Sequence, residues 1–142
     1  MKKVLIDINI ILDMLAKRDD HQSAVRIFDL CTRRLVKGYL CSHEVTTLSY
    51  FLEKFSYPRN KATQIISGLL DVFSIIPATE TILRDALQSS IKDFEDAVIE
   101  VSAVKEQVDC IITRNLKDFK SGRVDCFTGN EYLSLLSTDG NL

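Results

Sequence analysis

The segment VLIDINIILDML, residues 4–15, carries the first signal of the fold. Its opening run of apolar residues, 4–6, shows no alternation, which is typical of a short strand covered on both faces. The run stops at a carboxylate, Asp7, and the apolar spacing that follows predicts a helix over residues 10–17. The chain is therefore predicted to begin with a buried strand that ends in an acid and leads into a helix.

Short apolar runs and helical spacing continue to alternate along the chain. Further strands are predicted at residues 38–41, 72–76, 110–112 and, as an edge strand, 124–127. The helices between and after them are predicted at residues 22–34, 43–55, 60–70, 80–87, 93–106 and 130–136. Strands that alternate with helices imply an α/β fold, a three-layer α/β/α sandwich around a mainly parallel sheet of four to five strands.

Caps and apolar faces are predicted for several of these helices. Ser42 and Thr79 are expected to be N-caps, because a hydroxyl can accept a hydrogen bond from the first turn. In the helix at residues 22–34, the apolar spacing places Val25, Phe28 and Leu35 near one buried face. In the helix at residues 93–106, the buried stripe is predicted to comprise Phe94, Ala97, Val98, Val101 and Val104.

The composition predicts one soluble, cytoplasmic domain over residues 1–142 with no membrane segment. Apolar residues make up 46% of the chain and charged residues 27%, with only 2 Pro and 5 Gly, as in an ordinary globular protein. No segment reaches the ~18 consecutive apolar residues of a membrane helix. The 4 cysteines form no CxxC pair and are interpreted as buried, reduced thiols rather than a disulfide or zinc framework.

The net charge of −2 argues against nucleic-acid binding through overall positive charge. A local basic patch or bridging metal ions would have to compensate phosphate charge. The candidate cations are Arg33, Arg34, Lys37, Arg59, Lys61, Arg114, Lys117, Lys120 and Arg123. Most of them are individually interpreted as ordinary solvated surface charges.

Acidic residues follow the predicted strands at the ends where ligand sites form. Asp7 follows the first strand, Glu44 the second, and Asp118 lies in the loop after the fourth. Asp93 and Asp96 stand at the start of a helix. Parallel sheets bind ligands beyond the carboxyl ends of their strands, so these acids are expected to converge. Each acid alone could instead stabilise a helix N-terminus, but a cluster of anions stays ionised only if cations neutralise it.

Clustered oxygen ligands with no matching His or Cys pattern favour a hard ion, Mg²⁺ or Mn²⁺, over zinc. The two histidines, His21 and His43, are interpreted as surface or helix-start residues, with His43 a weak candidate for a substrate contact. The sequence therefore predicts a divalent metal site that is built from carboxylates at one edge of the sheet.

Four segments of the chain, taken in order, resemble the PIN-domain nucleases, and especially the short bacterial members that include the VapC-type toxins of toxin–antitoxin pairs. The segments are VLIDINIILDML (4–15), SHEVTTLSYFL (42–52), DFEDAVIEVSAV (93–104) and DCIITRNLKDF (109–119). Each segment alone is a weak signal, but the ordered set is fairly specific and covers nearly the whole chain.

The resemblance implies a set of site residues. The implied catalytic residues are Asp7, Glu44, Asp96 and Asp118. The implied metal ligands are Asp7, Glu44, Asp93, Asp96, Asn115 and Asp118, and the implied substrate-binding residues are Asn9, Thr113 and Arg114. Many relatives have Asp where this chain has Asn115, so either Asn115 is a neutral ligand or Asp118 supplies the charge.

The resemblance also implies an activity and partners. The expected reaction is hydrolysis of RNA phosphodiester bonds to leave a 5′-phosphate, with Mg²⁺ or Mn²⁺ orienting and acidifying the attacking water. Relatives with a toxin role are inhibited by an antitoxin protein whose tail fills the acidic groove, and they commonly dimerise. An antitoxin partner and a homodimer are therefore expected here.

Two alternatives stay open. The residues D-I-N-I from Asp7 also resemble the D-x-D-x opening of haloacid-dehalogenase-type phosphatases, but Asn9 cannot replace the second carboxyl group as a general acid. The other alternative is a non-catalytic module that binds RNA or a protein partner, which the neutral Asn115 favours. A neighbouring antitoxin gene would distinguish a toxin from a general RNA-processing enzyme.

Overall fold

The computed structural model of the protein describes residues 2–120 and 122–138. Its strands are β1 (Lys2–Ile6), β2 (Val36–Cys41), β3 (Ser74–Ile76), β4 (Cys110–Ile112) and β5 (Cys126–Phe127). Its α-helices are α1 (Ile8–Ala16), α2 (His21–Thr32), α3 (Ser42–Lys54), α4 (Arg59–Val72), α5 (Glu80–Ala86), α6 (Phe94–Glu106) and α7 (Gly129–Thr138). A 3₁₀ helix, Leu116–Phe119, follows β4 and was not predicted. None of the helices in the described ranges is long and apolar enough to cross a membrane.

The sheet is parallel throughout and has the strand order β3-β2-β1-β4-β5. Strand β1 is central, because Leu5 pairs with Tyr39 of β2 on one side and with Ile111 of β4 on the other. The carboxyl ends of parallel strands meet at one edge of a sheet, and ligand sites form there where the strand order reverses. The residues directly after β1, β2 and β4 are therefore neighbours.

Successive residues of each strand contact helices on opposite faces of the sheet, as the pleat requires. Val4 and Ile6 belong to an apolar cluster that includes residues of α1, α2, α3, α4 and α7. Leu5 and Ile111 belong to a second cluster, with residues of α5 and α6. The three-layer α/β/α fold with a parallel sheet is confirmed.

Helix α2 buries a different face from the one predicted. Val25 is 41% exposed and Leu35 is 50% exposed, so the prediction that they share a buried face with Phe28 is wrong. The buried face carries Ser23, Ala24, Ile27, Leu30 and Cys31. Its small side chains permit a close approach of α7, since a Cβ atom on Gly129 would lie 2.9 Å from Ser23 Oγ.

Ser42 is not the N-cap of α3, contrary to the prediction. The capping residue is Cys41, and its N–H donates to Glu44 Oε1 at 2.8 Å. The Ser42 hydroxyl instead accepts a hydrogen bond from the backbone N–H of Ala78 at 2.9 Å. Because the Glu44 carboxylate already accepts the hydrogen bond from the capping residue, Ser42 is free to connect the start of α3 to the segment after β3.

The predicted cap of α5 is confirmed, and the predicted buried face of α6 is confirmed in part. Thr79 caps α5 as predicted, because its hydroxyl accepts a hydrogen bond from the Ile82 N–H at 3.2 Å. In α6, Ala97 and Val101 are buried as predicted, but Phe94 is 45% exposed. Phe94 is the first residue of the helix, where the chain has not yet reached the core.

The cysteines are reduced, and three of the four, Cys31, Cys41 and Cys110, are buried. Cys126 is partly buried. Burial raises the pKa of the Cys31 thiol, and likewise that of Cys110, to about 12. These thiols are protonated at neutral pH and behave as small apolar side chains, which confirms the interpretation from the sequence.

Candidate active site

Asp7 stands at the carboxyl end of the central strand and caps helix α1. Its Oδ2 atom accepts a 2.7 Å hydrogen bond from the Thr113 hydroxyl, and Oδ1 accepts one from the Asn9 backbone N–H at 3.3 Å. Burial raises the pKa of Asp7, while the hydrogen bonds from Thr113 and Asn9 oppose that shift. The carboxylate is thus held in one orientation by groups from two segments.

Glu44 is the most buried acid of the site, with 1% of its surface exposed. Its Oε1 accepts the hydrogen bond from Cys41 N at 2.8 Å, and its Oε2 accepts one from Ile8 N at 2.6 Å. Burial, reinforced by the charge of Asp7, raises the pKa of Glu44 well above its ordinary value. This carboxylate therefore joins the first turn of α1 to the first turn of α3.

Asp96 lies in the first turn of α6 and is only partly buried. Its own N–H donates to Asp93 Oδ1 at 3.1 Å, so Asp93 caps the helix. Burial, followed by the charges of Asp93, Asp7, Asp118 and Glu95, raises the pKa of Asp96 to about 7. The charges of four other carboxylates thus act on Asp96, including Asp7 at the end of β1.

Three of the four predicted catalytic acids, Asp7, Glu44 and Asp96, line one pocket of about 580 Å³. Its other lining residues are Ile8, Asn9, His43, Thr46, Thr47, Tyr50, Phe51, Glu95 and Ile99. The fourth predicted acid, Asp118, is exposed on the 3₁₀ helix and does not line the pocket. It acts on Asp96 through its charge.

The segment after β4 does not line the pocket but forms a hydrogen bond to one of its acids. Thr113 is fully buried, and its hydroxyl both donates to Asp7 and accepts a 3.1 Å hydrogen bond from the Asn115 backbone N–H. Neither residue lines the pocket, and neither does Asp93. Thr113 therefore orients the first acid, and its predicted contact with substrate stays a prediction.

Asp13 is a charged residue that the sequence analysis missed. Its side chain is fully buried and its Oδ1 atom accepts a hydrogen bond from Arg114 at 2.8 Å. Arg18 pairs with the same oxygen at 3.5 Å. A buried carboxylate is costly unless it is paired, so Asp13 holds Arg114 beside the site, where Arg114 also reaches Asn9 Oδ1 at 3.5 Å. The sole sequence signal was one acid inside an apolar helix.

The environments of His43 and Glu100 differ from those that their positions in the sequence suggest. His43 is in the first turn of α3, as predicted, but its ring is partly buried, lines the pocket and has its pKa lowered by burial. Glu100 follows Asp96 by one helical turn, yet it lies outside this pocket. The carboxylate of Glu100 accepts hydrogen bonds from the Ser89 hydroxyl and the Arg123 N–H.

Several candidate cations are engaged within the protein itself. Arg34 donates to two backbone carbonyls at the end of α4, both at 3.0 Å. Arg33 pairs with Asp29 at 3.5 Å, and Arg123 pairs with Glu100 at 3.5 Å. All three arginines are nevertheless exposed, which is compatible with the interpretation that most of the candidate cations are surface charges.

The chemistry of the pocket fits a hard divalent cation. Asp7 and Asp96 share the pocket, and the charge of Asp7 contributes to the raised pKa of Asp96. Neither carboxylate forms an ion pair within residues 2–120 and 122–138. A cation between them would relieve this repulsion. No three His, Cys, Asp or Glu side chains of the described ranges already stand close enough to hold a metal ion.

The identity of the fourth acid can be tested through Asp96. We expect Asp118→Asn to lower the pKa of Asp96, because the charge of Asp118 helps to raise it. The matched change Asn115→Ala removes no charge and should leave that pKa in place. An NMR titration of the carboxyl carbons in EDTA measures both. An Asp96 pKa unchanged by Asp118→Asn would mean that Asp118 is too distant to complete the site.

Residues 3–117 match the PIN domain. Among solved structures, a toxin–antitoxin complex from Klebsiella pneumoniae is similar with a TM-score of 0.68 and 22% identity, over 89% of this chain and 97% of that chain. The crystal structure of VapBC2 from Rickettsia felis bound to a DNA fragment from their promoter is similar with a TM-score of 0.66 and 18% identity, over 89% of this chain and 98% of that chain. A comparison with curated proteins finds no match.

Identities at this level show the fold alone, whereas the domain match spans most of the sequence. It sets aside the haloacid-dehalogenase alternative and confirms the resemblance that the four segments indicated. This chain belongs to the PIN-domain family.

Proposed function

We propose that this protein is a divalent-metal-dependent endoribonuclease that uses Mg²⁺ or Mn²⁺. The observation that carries the proposal is the meeting of Asp7 and Asp96 in one pocket, at the edge of the sheet where β1 ends, with Glu44 buried behind them. PIN domains are generally nucleases, which supports phosphodiester hydrolysis as the reaction.

The residues in and beside the pocket have different proposed roles. Asp7 and Asp96 would hold the cation, with Glu44 fixing the helix ends around them and Asp118 or Asn115 completing the shell. A divalent cation supplies charge stabilisation for the phosphate oxygens and lowers the pKa of the attacking water. The oxygen of that water joins phosphorus, the bond to the 3′ oxygen breaks, and a proton passes to that oxygen. The products are a 5′-phosphate and a 3′-hydroxyl.

The test is to incubate the purified protein with a pool of labelled RNAs and Mg²⁺ or Mn²⁺. We expect cleavage that EDTA abolishes and that Asp7→Asn reduces by about 10²–10³-fold, the usual effect of losing a preorganised electrostatic group. The matched control is Asp71→Asn, the same change on an exposed residue at the end of α4, which should cut as the wild type does.

Three results would contradict this expectation in different ways. Cleavage that survives EDTA, or that is equal in Asp7→Asn, would reveal a contaminating ribonuclease. Metal binding without cleavage would favour the non-catalytic module that binds RNA or a protein. Absence of both metal binding and cleavage would contradict the role of the carboxylates.

The proposal extends to a partner: we infer that the protein is the toxin of a toxin–antitoxin pair. Its fold is shared with a toxin–antitoxin complex, and its acidic pocket is suited to a basic antitoxin tail. A homodimer, a cytoplasmic location and a single domain over residues 1–142 stay predictions. A neighbouring antitoxin gene would favour the toxin role over general RNA processing.

A further inference from the structure

Helix α3 carries a row of polar and aromatic side chains into the acidic pocket. His43, Thr47 and Tyr50 follow one another at intervals of four and three residues, so they lie along one side of the helix. All three line the pocket that contains Asp7 and Asp96. The opposite side of α3 carries Leu48 and Leu52 into the core. One wall of the pocket is thus anionic, while the other presents rings and a hydroxyl.

The side chain of Tyr50 is exposed to solvent but contacts a neighbouring aromatic ring. It is 60% exposed and meets the Phe51 ring edge-on at a centroid distance of 5.6 Å. Phe51 in turn stacks on Phe55 at 5.9 Å, and Phe51 also packs against the core. Contact with a neighbouring ring restricts the rotamers of Tyr50, so less conformational entropy is lost when a flat partner stacks on it.

The pocket is also larger than a phosphate and its cation require. Its volume of about 580 Å³ is in the ~300–1,000 Å³ range of sites that take whole small molecules. Single-stranded RNA presents unstacked bases next to each phosphate, and proteins recognise these bases by stacking on aromatic rings and by hydrogen bonds to their edges.

We propose that the α3 row, His43, Thr47 and Tyr50, is the binding site for the nucleobase next to the phosphate that is cut. Tyr50 supplies the stacking surface, and Thr47 and His43 supply polar groups for the edge of the base. This inference rests on the proposed function, which it deepens by assigning the residues that set preference among RNA sequences.

The test compares variants and substrates in a double-mutant cycle. We expect Tyr50→Leu to raise KM about tenfold, within the range for loss of one base–aromatic stack, with kcat changed less than about twofold. Tyr50→Phe keeps the ring and should restore KM. Leu70→Ala, which removes an exposed apolar side chain of α4 outside the pocket, should have no effect.

The substrate arm uses an RNA with one abasic nucleotide beside the cleaved bond. The abasic RNA should raise KM for the wild type, but not further for Tyr50→Leu, because both changes remove the same contact. The inference would be overturned if the effects of the abasic RNA and of Tyr50→Leu on KM were additive, or if Tyr50→Leu left KM unchanged. The exposed ring would then be assigned to docking of a protein.

Binding of the same RNAs is measured by fluorescence anisotropy with Mg²⁺ present. This assay tests the contribution of Tyr50 to RNA binding even if the protein has no cleavage activity. Binding that depends on Tyr50 without cleavage would contradict the nuclease proposal but support Tyr50 as a surface that stacks on an RNA base. Cleavage that is independent of Tyr50 would do the reverse. Absence of both cleavage and Tyr50-dependent binding would overturn both.

Discussion

Replacing Asp96 with Asn should strongly reduce RNA cleavage and yet raise the thermal stability of the metal-free protein. Asp96 is proposed to hold the cation with Asp7, so its loss should lower kcat by about 10²–10³-fold. The gain in stability has a separate cause. Burial and, after it, the charges of Asp93, Asp7, Asp118 and Glu95 disfavour an ionised Asp96, and a neutral amide is free of both penalties.

The dependence on pH follows from the raised pKa of Asp96. In the unfolded chain the group has its ordinary pKa of 3.8, and in the folded protein the pKa is about 7. Between these values the folded protein keeps a proton that the unfolded chain releases, so wild-type stability falls as the pH rises from about 4 to about 7. Asp96→Asn removes this loss and should be more stable at pH 8, with the difference vanishing near pH 4.

The size of the gain is limited because Asp96 is only partly buried. Allowing for solvent screening, we expect about 1 kcal/mol at pH 8, or about 2–4 °C in Tm for a chain of this size. Calorimetry in EDTA measures it, and Asp71→Asn should leave the free energy of unfolding within about 0.5 kcal/mol of the wild-type value. Adding Mg²⁺ should reverse the order, because only the wild type gains from binding. A lower Tm for Asp96→Asn in EDTA at pH 8 would contradict the electrostatic account.

Among single substitutions in the site, replacement of Glu44 should cause the largest loss in the free energy of unfolding. Glu44→Ala leaves the buried N–H groups of Cys41 and Ile8 without acceptors, and each such group costs about 1–3 kcal/mol. With the cavity added, we expect a loss of about 3–5 kcal/mol in the free energy of unfolding. Typical domains have about 5–15 kcal/mol in total, so this variant should lose a large fraction of its stability.

Glu44→Gln provides the graded comparison, measured by urea unfolding. Its amide keeps one oxygen acceptor but turns an NH₂ group towards the other backbone N–H, so a loss of about 1–3 kcal/mol is expected. The matched control is Glu53→Ala, an exposed acid on the same helix, which should stay within about 0.5 kcal/mol of the wild type. A Glu44→Ala protein as stable as the control would contradict the role assigned to the two hydrogen bonds.

The fold was predictable wherever the spacing of apolar residues is compatible with only one type of secondary structure. The strand at residues 110–112 was predicted with the bounds that the structure gives, because its apolar run is flanked by polar residues. The face of α2 was not, because Val25 is apolar but exposed, while Ser23 is polar but buried. Which side of that helix faces inward depends on the closeness of α7, a contact between distant segments that periodicity does not encode.

The site was predictable to the extent that strand topology places acids. Asp7 and Glu44 follow adjacent strands, so their convergence follows from the parallel sheet alone. The pairing of Asp13 with Arg114 joins residues 101 positions apart, and nothing local to either residue signals it. Glu44 was predicted as a catalytic ligand, but its hydrogen bonds to two helix ends could be seen only in the structure.

The central position of β1 has a consequence for synthesis on the ribosome. The hydroxyl that orients Asp7 belongs to Thr113, 106 residues later, which corresponds to roughly 5–20 s of translation at typical rates. Until β4 emerges, one edge of β1 has no partner, and open edges invite aggregation. A ribosome that stalls before β4 therefore releases a fragment that holds the first acid without its hydrogen-bond partner. Interrupted translation is therefore expected to yield a chain with an incomplete site and an open strand edge.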